Sequence, residues 1–238
     1  MKTSTAAQPL TWRVLARLLC YPDAAWREAL PALAAQLRAE PALAARRRSA
    51  LLELVEELAA ADPYEVEAAY VELFDRGRAT ALHLFEHVHG ESRDRGMAMV
   101  DLRATYAQAG LELQAHELPD YLPVVLEFLS TQPPEIVRGF VAEVGHILNA
   151  LHGALVQRKS RYAEVVAAAL ELGGQEVAAV SARATYADEP MDAAWEEPEA
   201  FGGCSSRGQS RPEQAQPVHI VRRAPQGGTT STSFVSGS

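Results

Sequence analysis

The sequence predicts an all-α protein, a single-domain helical bundle of about eight helices at residues 1–186, followed by a largely disordered tail at 187–238. Three observations support this prediction. Apolar residues recur at helical spacing from Pro9 to about Tyr186, no stretch competes with the alternation of a strand, and Gly or Pro marks the breaks. Ala and Leu, both strong helix formers, fill most of the periodic positions.

Three apolar stripes predict helices that face a shared core. The stripes are Leu51, Leu54, Val55 and Leu58; then Val137, Phe140, Val141, Val144, Leu148, Leu151 and Leu155; and then Tyr162, Val165, Val166 and Ala169.

The clearest helix boundary lies at Asp62. Asp62 is expected to cap the helix, Pro63 suits its first position, and Glu65 is placed as a capping-box acid. The helix that follows should bury Val66, Tyr70 and Leu73. Further helix ends are predicted at Tyr21-Pro22-Asp23, Gly90, Gly110 and Gly173-Gly174.

The composition changes after about Ala187 to Pro, Gly, Ser, Thr, Gln and charged residues. Such a segment cannot bury enough apolar surface to offset the entropy of ordering. One possible exception is residues 195–201, where Trp195 and Phe201 could dock onto the body or onto a partner. Truncation after Phe201 is expected to leave stability and partner binding nearly unchanged.

The net charge of −9 over 238 residues argues against a nucleic-acid partner, which requires a clustered basic surface. A cationic peptide is a reasonable partner for the acidic groups. The basic triplet Arg46-Arg47-Arg48 is expected to be a solvated helix face.

The two cysteines, Cys20 and Cys204, provide neither a disulfide framework nor a thiolate zinc site, which fits a reducing compartment. No apolar run is expected to reach the roughly 20 residues that cross a bilayer. Arg13 and Arg17 interrupt the N-terminal stretch that resembles a signal-peptide core. The expected location is the cytoplasm, with no direct insertion into a membrane.

A histidine cluster gives the strongest indication of an enzyme. His83 and His87 are four residues apart and would share a helix face at metal-ligand spacing, with Glu86 between them and His89 beyond. No His-Glu-x-x-His motif, phosphate-binding loop or nucleophile elbow occurs, so the prediction is no catalysis and no metal. Packing or peptide contact are the other interpretations of these histidines.

Residues 89–97 place alternating charges and two glycines at the start of a helix. Helical phase puts Arg95 on the same face as Met99, Leu102 and Tyr106, so Arg95 needs an acidic partner. The candidates are Asp75, Glu117, Asp120 and Glu127. Arg93 and Asp94 point elsewhere, where they would contact either a ligand or solvent.

In the segment 117–128, two prolines fix the approach to a helix. Asp120, Val124 and Glu127 would then share one helix face and form an acidic line. These carboxylates could bind Arg95, cap a helix or bind an external peptide. Acid–base chemistry is a further interpretation without a visible nucleophile.

At residues 70–75, 87–98 and 117–128 the sequence resembles the NarJ family of nitrate reductase molybdenum cofactor assembly chaperones, within the TorD/DmsD class of redox-enzyme maturation proteins. A weaker resemblance spans about 10–201. In the wider class, a Glu-Pro-x-Asp-His motif occurs where this chain has Leu118 and Tyr121 in place of the proline and histidine. That departure is typical of the NarJ branch and favours nitrate reductase as the client.

The resemblance implies a helical chaperone, without a cofactor of its own, that binds the N-terminal segment of the nitrate reductase catalytic subunit. It would keep that subunit open for molybdenum cofactor and iron–sulfur insertion and delay its docking to the membrane anchor. A chaperone for another molybdoenzyme and a histidine-site metalloenzyme are the alternatives. The candidate client-binding residues are Tyr70, Leu73, Phe74, His87, His89, Arg93, Asp94, Glu117, Asp120, Tyr121 and Glu127.

Overall fold

The computed structural model describes residues 8–89, 93–114 and 117–179. This part of the chain is helical, which confirms the predicted all-α class, and it contains nine α-helices and one 3₁₀ turn at Arg78–Thr80. The helices are α1 Gln8–Leu18, α2 Ala24–Ala39, α3 Ala45–Ala60, α4 Pro63–Phe74, α5 Leu84–His89, α6 Arg93–Gln108, α7 Leu122–Leu129, α8 Pro134–Gln157 and α9 Ala163–Leu172.

Several predicted features lie outside the described residues. The tail at 187–238 and its element at 195–201 therefore remain predictions, as do Gly90 and the side chains of His89, Arg93 and Asp94.

Helix α4 begins where the sequence predicts. The Asp62 carboxylate accepts the backbone N–H groups of Tyr64 at 2.9 Å and Glu65 at 3.3 Å, which satisfies two of the free donors at the helix start. Helix α2 starts in the same way, with Asp23 accepting the N–H of Trp26 at 2.6 Å. Local sequence alone therefore fixes these two helix starts.

The core is built around α1, which packs against α2, α7 and α9. Trp12, Leu15 and Leu18 of α1 are almost completely buried, and Trp26 of α2 is fully buried beside them. The apolar stripes of α3, α8 and α9 face this same core, as their spacing predicts.

By length and composition alone, the described residues contain one helix able to cross a membrane, α8. The expectation that no apolar run approaches this length is wrong for this segment. Because α8 packs along α9 and buries Val141, Leu151 and Leu155 completely, its apolar residues serve the core.

The predicted limit of the helical region near Tyr186 lies outside the described residues and stays a prediction. Helix α9 stops at Leu172, and Gly174 adopts a φ of +76°, which few residues other than glycine tolerate. The chain then runs beside α8, where the N–H of Ala178 donates to Asn149 Oδ1 at 2.7 Å.

The basic triplet on α3 is not the solvated face that its sequence suggested. Arg47 lies mostly out of solvent and pairs with Glu164 and with Glu171, whose Oε1 is 2.7 Å from Arg47 Nη2. Burial lowers the Arg47 pKa, but the hydrogen bond to Glu171 and the charge of Glu164 outweigh this, so the pKa is raised. Arg48 donates to the Glu40 carbonyl at 2.7 Å. Two of the three arginines thus stabilise contacts within the fold.

Candidate functional site

The segment that leads into α5 pairs with the segment that leads into α7. The N–H of Leu84 donates to the Asp120 carbonyl at 3.0 Å, and the N–H of Leu122 donates to the Leu82 carbonyl at 2.8 Å. These bonds form a short antiparallel bridge between His83 and Tyr121. The bridge fixes the position from which α5 and α7 start.

Asp120 lies inside this junction and has no exposed surface. Its Oδ2 accepts the N–H of Phe85 at 3.1 Å and lies 3.9 Å from Arg95 Nη2, while its Oδ1 is 3.3 Å from His83 Nδ1. A buried carboxylate with these partners joins α5, α6 and the start of α7.

The predicted acidic line of Asp120, Val124 and Glu127 on one helix face is therefore wrong. Helix α7 begins only at Leu122, so Asp120 precedes it and points inward, whereas Glu127 is exposed. The Asp120 carboxylate is enclosed in this folded state, and its predicted contact with a client stays a prediction.

Arg95 lies on the inner side of α6, as helical phase predicts, with Leu102 and Tyr106 buried on the same side. Its nearest carboxylate is Glu86, whose Oε1 is 3.2 Å from Arg95 Nη2. Of the four carboxylates predicted to hold Arg95, Asp120 is within ion-pair distance, and Glu86 is a further partner outside that set. Glu86 lies on a different helix from Arg95, so spacing within α6 does not indicate this pair.

Tyr70 and Phe74 belong to the core. Each is only 4% exposed, their rings pack 4.8 Å apart, and Tyr162 packs edge-on against both. The Tyr70 hydroxyl donates to the Leu19 carbonyl at 2.7 Å. Tyr70 and Phe74 therefore have little surface to offer a client in this folded state, and their predicted client contact stays a prediction. Leu73, between them, is partly exposed.

The aromatic cluster continues to the surface through two further tyrosines. The Tyr121 hydroxyl lies 3.3 Å from that of Tyr70, and the Tyr21 ring packs edge-on to Tyr70 at 5.7 Å. Tyr21 is 44% exposed and Tyr121 is partly exposed. Burial raises the pKa of Tyr121, so its hydroxyl remains a neutral donor at physiological pH.

Carboxylates surround these two tyrosines. Glu67 accepts the Tyr21 hydroxyl at 2.8 Å, and this bond, reinforced by the charges of Glu67, Asp75 and Asp23, raises the Tyr21 pKa. The charges of Asp75 and Glu117 also act on Tyr121. We call this region the tyrosine surface, and it consists of Cys20, Tyr21, Leu118 and Tyr121 with the carboxylates Glu67, Asp75, Glu117 and Glu127.

The Cys20 thiol lies between the tyrosine surface and the core and donates to the Ala16 carbonyl at 3.4 Å. Burial raises its pKa, the nearby Arg17 opposes this, and the charges of Glu127 and Glu117 add to the increase. A thiol in this environment is a poor nucleophile, because the thiolate is the reactive form.

Within the described parts of the chain, Glu67, Asp75, Glu117 and Glu127 have no Lys, Arg or His within ion-pair distance. Their charges act on a surface with exposed apolar atoms, since Leu118 is 46% exposed and Tyr21 is 44% exposed. An acidic and partly aromatic surface of this kind is complementary to a cationic, amphipathic segment.

The histidines do not form the shared helix face that their spacing suggested. His83 precedes α5 and pairs with Asp120, and its ring packs 5.3 Å from that of Tyr121. His87 lies in α5 and its Nε2 is 2.8 Å from the Ala81 carbonyl. Among the described side chains, no group of three or more His, Cys, Asp or Glu is arranged to hold a metal ion.

Sequence reasoning missed Tyr21, Cys20, Glu67 and their role in this surface. Tyr21-Pro22-Asp23 was interpreted only as a helix end. The available signal was the aromatic residue itself, placed two residues before the helix cap Asp23.

The profile of a protein family described as nitrate reductase delta subunit matches residues 22–168. The chain is 44% identical over 192 residues to the nitrate reductase molybdenum cofactor assembly chaperone NarJ of Escherichia coli K12, covering 77% of this chain and 81% of that protein. It is 40% identical over 194 residues to the probable assembly chaperone NarW of the same strain, covering 78% and 80%. It is 34% identical over 172 residues to the probable NarJ of Bacillus subtilis, covering 71% and 92%.

Proposed function

The chain belongs to the nitrate reductase delta subunit family, and from this premise we propose that it is an assembly chaperone for the catalytic subunit of a respiratory nitrate reductase. The observation that carries the proposal is the 44% identity, over 77% of this chain and 81% of the relative, to a protein named as a nitrate reductase molybdenum cofactor assembly chaperone. In this role the chain is a binding protein in the cytoplasm and not an enzyme.

The client contact that we propose is the N-terminal segment of the catalytic subunit. An amphipathic helix with basic residues would lay its apolar side on Tyr21, Leu118 and Tyr121. Its cations would meet the carboxylates around them, such as Glu117 and Glu127, which have no cationic partner in the described structure. Charge-assisted contacts are stronger than neutral ones and also speed the encounter.

The buried residues next to the surface act by positioning. Asp120 holds the segment that carries Tyr121, and the Tyr70 hydroxyl supports Tyr121 from beneath. A surface with fixed aromatic side chains loses less entropy on binding than a flexible one. Leu73 and His87 remain candidates for the edge of the contact because both are partly exposed.

The chaperone would retain the apo catalytic subunit until its molybdenum cofactor and iron–sulfur cluster are inserted, and only then allow docking to the membrane anchor. Occupying the N-terminal segment delays docking, because that segment is then unavailable to another partner. The cofactors belong to the client in this scheme, and the chain needs none of its own.

Deletion of the gene in a nitrate-respiring strain tests the proposal. The catalytic subunit should accumulate without molybdenum, and the wild-type gene on a plasmid should restore both molybdenum content and nitrate reduction. Normal molybdenum content in the deletion strain would show that the chain is not required for assembly.

A capture experiment tests the alternative that the chain is a chaperone for another molybdoenzyme. The tagged chain should retain the apo nitrate reductase catalytic subunit, whereas retention of a different molybdoenzyme would identify another client.

Metal analysis of the purified protein tests the alternative that the chain is a histidine-site metalloenzyme. Stoichiometric zinc, iron or manganese that disappears in a His83→Ala/His87→Ala variant would favour that alternative.

A further inference from the structure

Helix α6 has apolar residues on two opposite sides. On the inner side, Leu102 is 8% exposed and Tyr106 is 2% exposed, and the Tyr106 hydroxyl donates to the Pro119 carbonyl at 2.7 Å. This side attaches α6 to the body. Packing within the described structure does not account for the apolar residues on the opposite side.

On the outer side, Met97 is 65% exposed and Val100 is 64% exposed. Ala104 and Ala107 are also exposed and continue the same line. The spacing of three, four and three residues keeps all four on one helix face over about 15 Å. We call Met97, Val100, Ala104 and Ala107 the outer stripe.

Several features show that the outer stripe has room for a partner. Met97 and Val100 lie one helical turn apart, so their exposed side chains form one continuous apolar surface with the two alanines. Gly96, beside Met97, has no atom within 4 Å of the position that a Cβ would occupy. The two alanines would let a second helix approach closely.

Charges of opposite sign border the stripe. At 100° per residue, Asp101 lies about 80° to one side of its centre and Arg103 about 80° to the other. Both are exposed, and neither pairs with another charged side chain in the described structure. The stripe thus has one acidic edge and one basic edge.

We propose that the outer stripe contacts the outer stripe of a second copy of this chain, with the two α6 helices parallel about a two-fold axis. In a parallel pair, the two-fold axis places the Asp101 edge of one helix beside the Arg103 edge of the other, twice by symmetry. In an antiparallel pair each edge would meet its own copy, so that like charges face each other. Charge complementarity therefore selects the parallel arrangement.

The contact is weak. One helix pair buries less than the roughly 1,200 Å² of a standard interface, and two chains with a net charge of −9 repel one another. The dimer is therefore expected to dissociate on dilution. This contact is independent of the proposed chaperone role and uses none of the residues of the tyrosine surface.

Sedimentation equilibrium of the full chain between about 10 µM and about 1 mM tests the contact. The average mass should rise from 25.8 kDa towards twice that value. Val100→Glu should remain monomeric, with Glu135→Gln as a surface control that dimerises like the wild type. A wild-type mass that stays at the monomer value at the highest concentration would overturn the proposal and leave the stripe for the amphipathic helix of another protein.

A charge exchange tests the parallel arrangement. Asp101→Arg and Arg103→Asp should each weaken association at least about tenfold, and the two changes together should restore it, because the pairs re-form with reversed signs. In an antiparallel dimer the double variant would keep like charges opposed, so a double variant that fails to associate would overturn the proposed geometry.

Cross-linking gives a second readout that does not depend on affinity. With Cys204→Ser as the background, Ala104→Cys should form a disulfide-linked dimer under mild oxidation, because the two copies of residue 104 face each other in a parallel pair. Thr105→Cys, one residue further and off the stripe, is the matched control. Equal cross-linking at 104 and 105 would contradict the contact.

Discussion

The carboxylate of Asp120 accepts the backbone N–H of Phe85 at 3.1 Å, and through this bond a fully buried acid holds the start of α5 against the start of α7. His83 and Arg95 face the same carboxylate from two other elements. The site that sequence spacing suggested as a client contact is thus a structural junction.

Asp120→Ala should destabilise the fold by about 2–4 kcal/mol, because it removes the buried carboxylate that accepts the N–H of Phe85 and lies beside Arg95 and His83. Urea unfolding followed by circular dichroism measures the change. Glu127→Ala, which removes an exposed carboxylate from α7, is the matched control and should change stability by less than about 0.5 kcal/mol. Equal effects of the two variants would contradict the junction.

Arg95→Ala should cost about 1–2 kcal/mol, less than the roughly 3 kcal/mol typical of breaking a fully buried pair. The reason is that Arg95 and Glu86 are partly exposed, with side-chain exposures of 22% and 31%. The exposed Arg103→Ala on the same helix is the control, melted at low protein concentration. A loss as large as that of Asp120→Ala would show that the two residues act as one unit.

Glu117→Gln combined with Glu127→Gln should weaken binding of the client's N-terminal peptide by about 1–3 kcal/mol while leaving the thermal midpoint unchanged. Both carboxylates are exposed and belong to the tyrosine surface. Calorimetric titration at two salt concentrations measures the effect, and wild-type binding should weaken as salt increases. Glu135→Gln with Glu143→Gln on α8 removes the same charge elsewhere and should bind normally. If the two double variants bind the peptide with the same reduced affinity, the net charge of the chain controls recognition and the tyrosine surface does not.

Stability should fall with acidification partly through His152. Burial and the charge of Arg47 lower the His152 pKa in the folded state, and its Nδ1 has no hydrogen-bond partner there. The unfolded chain therefore takes up this proton first as pH falls below the ordinary histidine pKa, which favours unfolding. His152→Leu should flatten the dependence of unfolding free energy on pH between about 7.5 and 5. His146→Gln, at an exposed position on α8, is the control variant.

The helix starts, the apolar stripes and the fold class were predictable because each depends on residues close together in sequence. Asp62 and Asp23 cap helices that begin one residue later, and Val141 and Leu151 follow from a repeat within α8. The same logic placed Arg95 on the inner side of its helix.

The candidate site was less predictable because it is assembled from distant segments. Asp120 was assigned to a helix face, yet the bridge to residues 82–84 turns it inward, and nothing near Asp120 in sequence encodes that pairing. Tyr21 and Glu67 meet across 46 residues, and Arg47 meets Glu164 across 117. Spacing within one helix cannot reveal such partners.

The bridge between His83 and Tyr121 also marks the ends of a segment that can open locally, the segment that contains α5 and α6. Helices α5 and α6 form an excursion of the chain that begins at one side of this bridge and ends at the other, so the two ends of the excursion are held together. Such an excursion can open without separating α1 from α7 or α9, which hold the core through other contacts. Its amide hydrogens should therefore exchange with solvent through a local opening that the rest of the chain does not share.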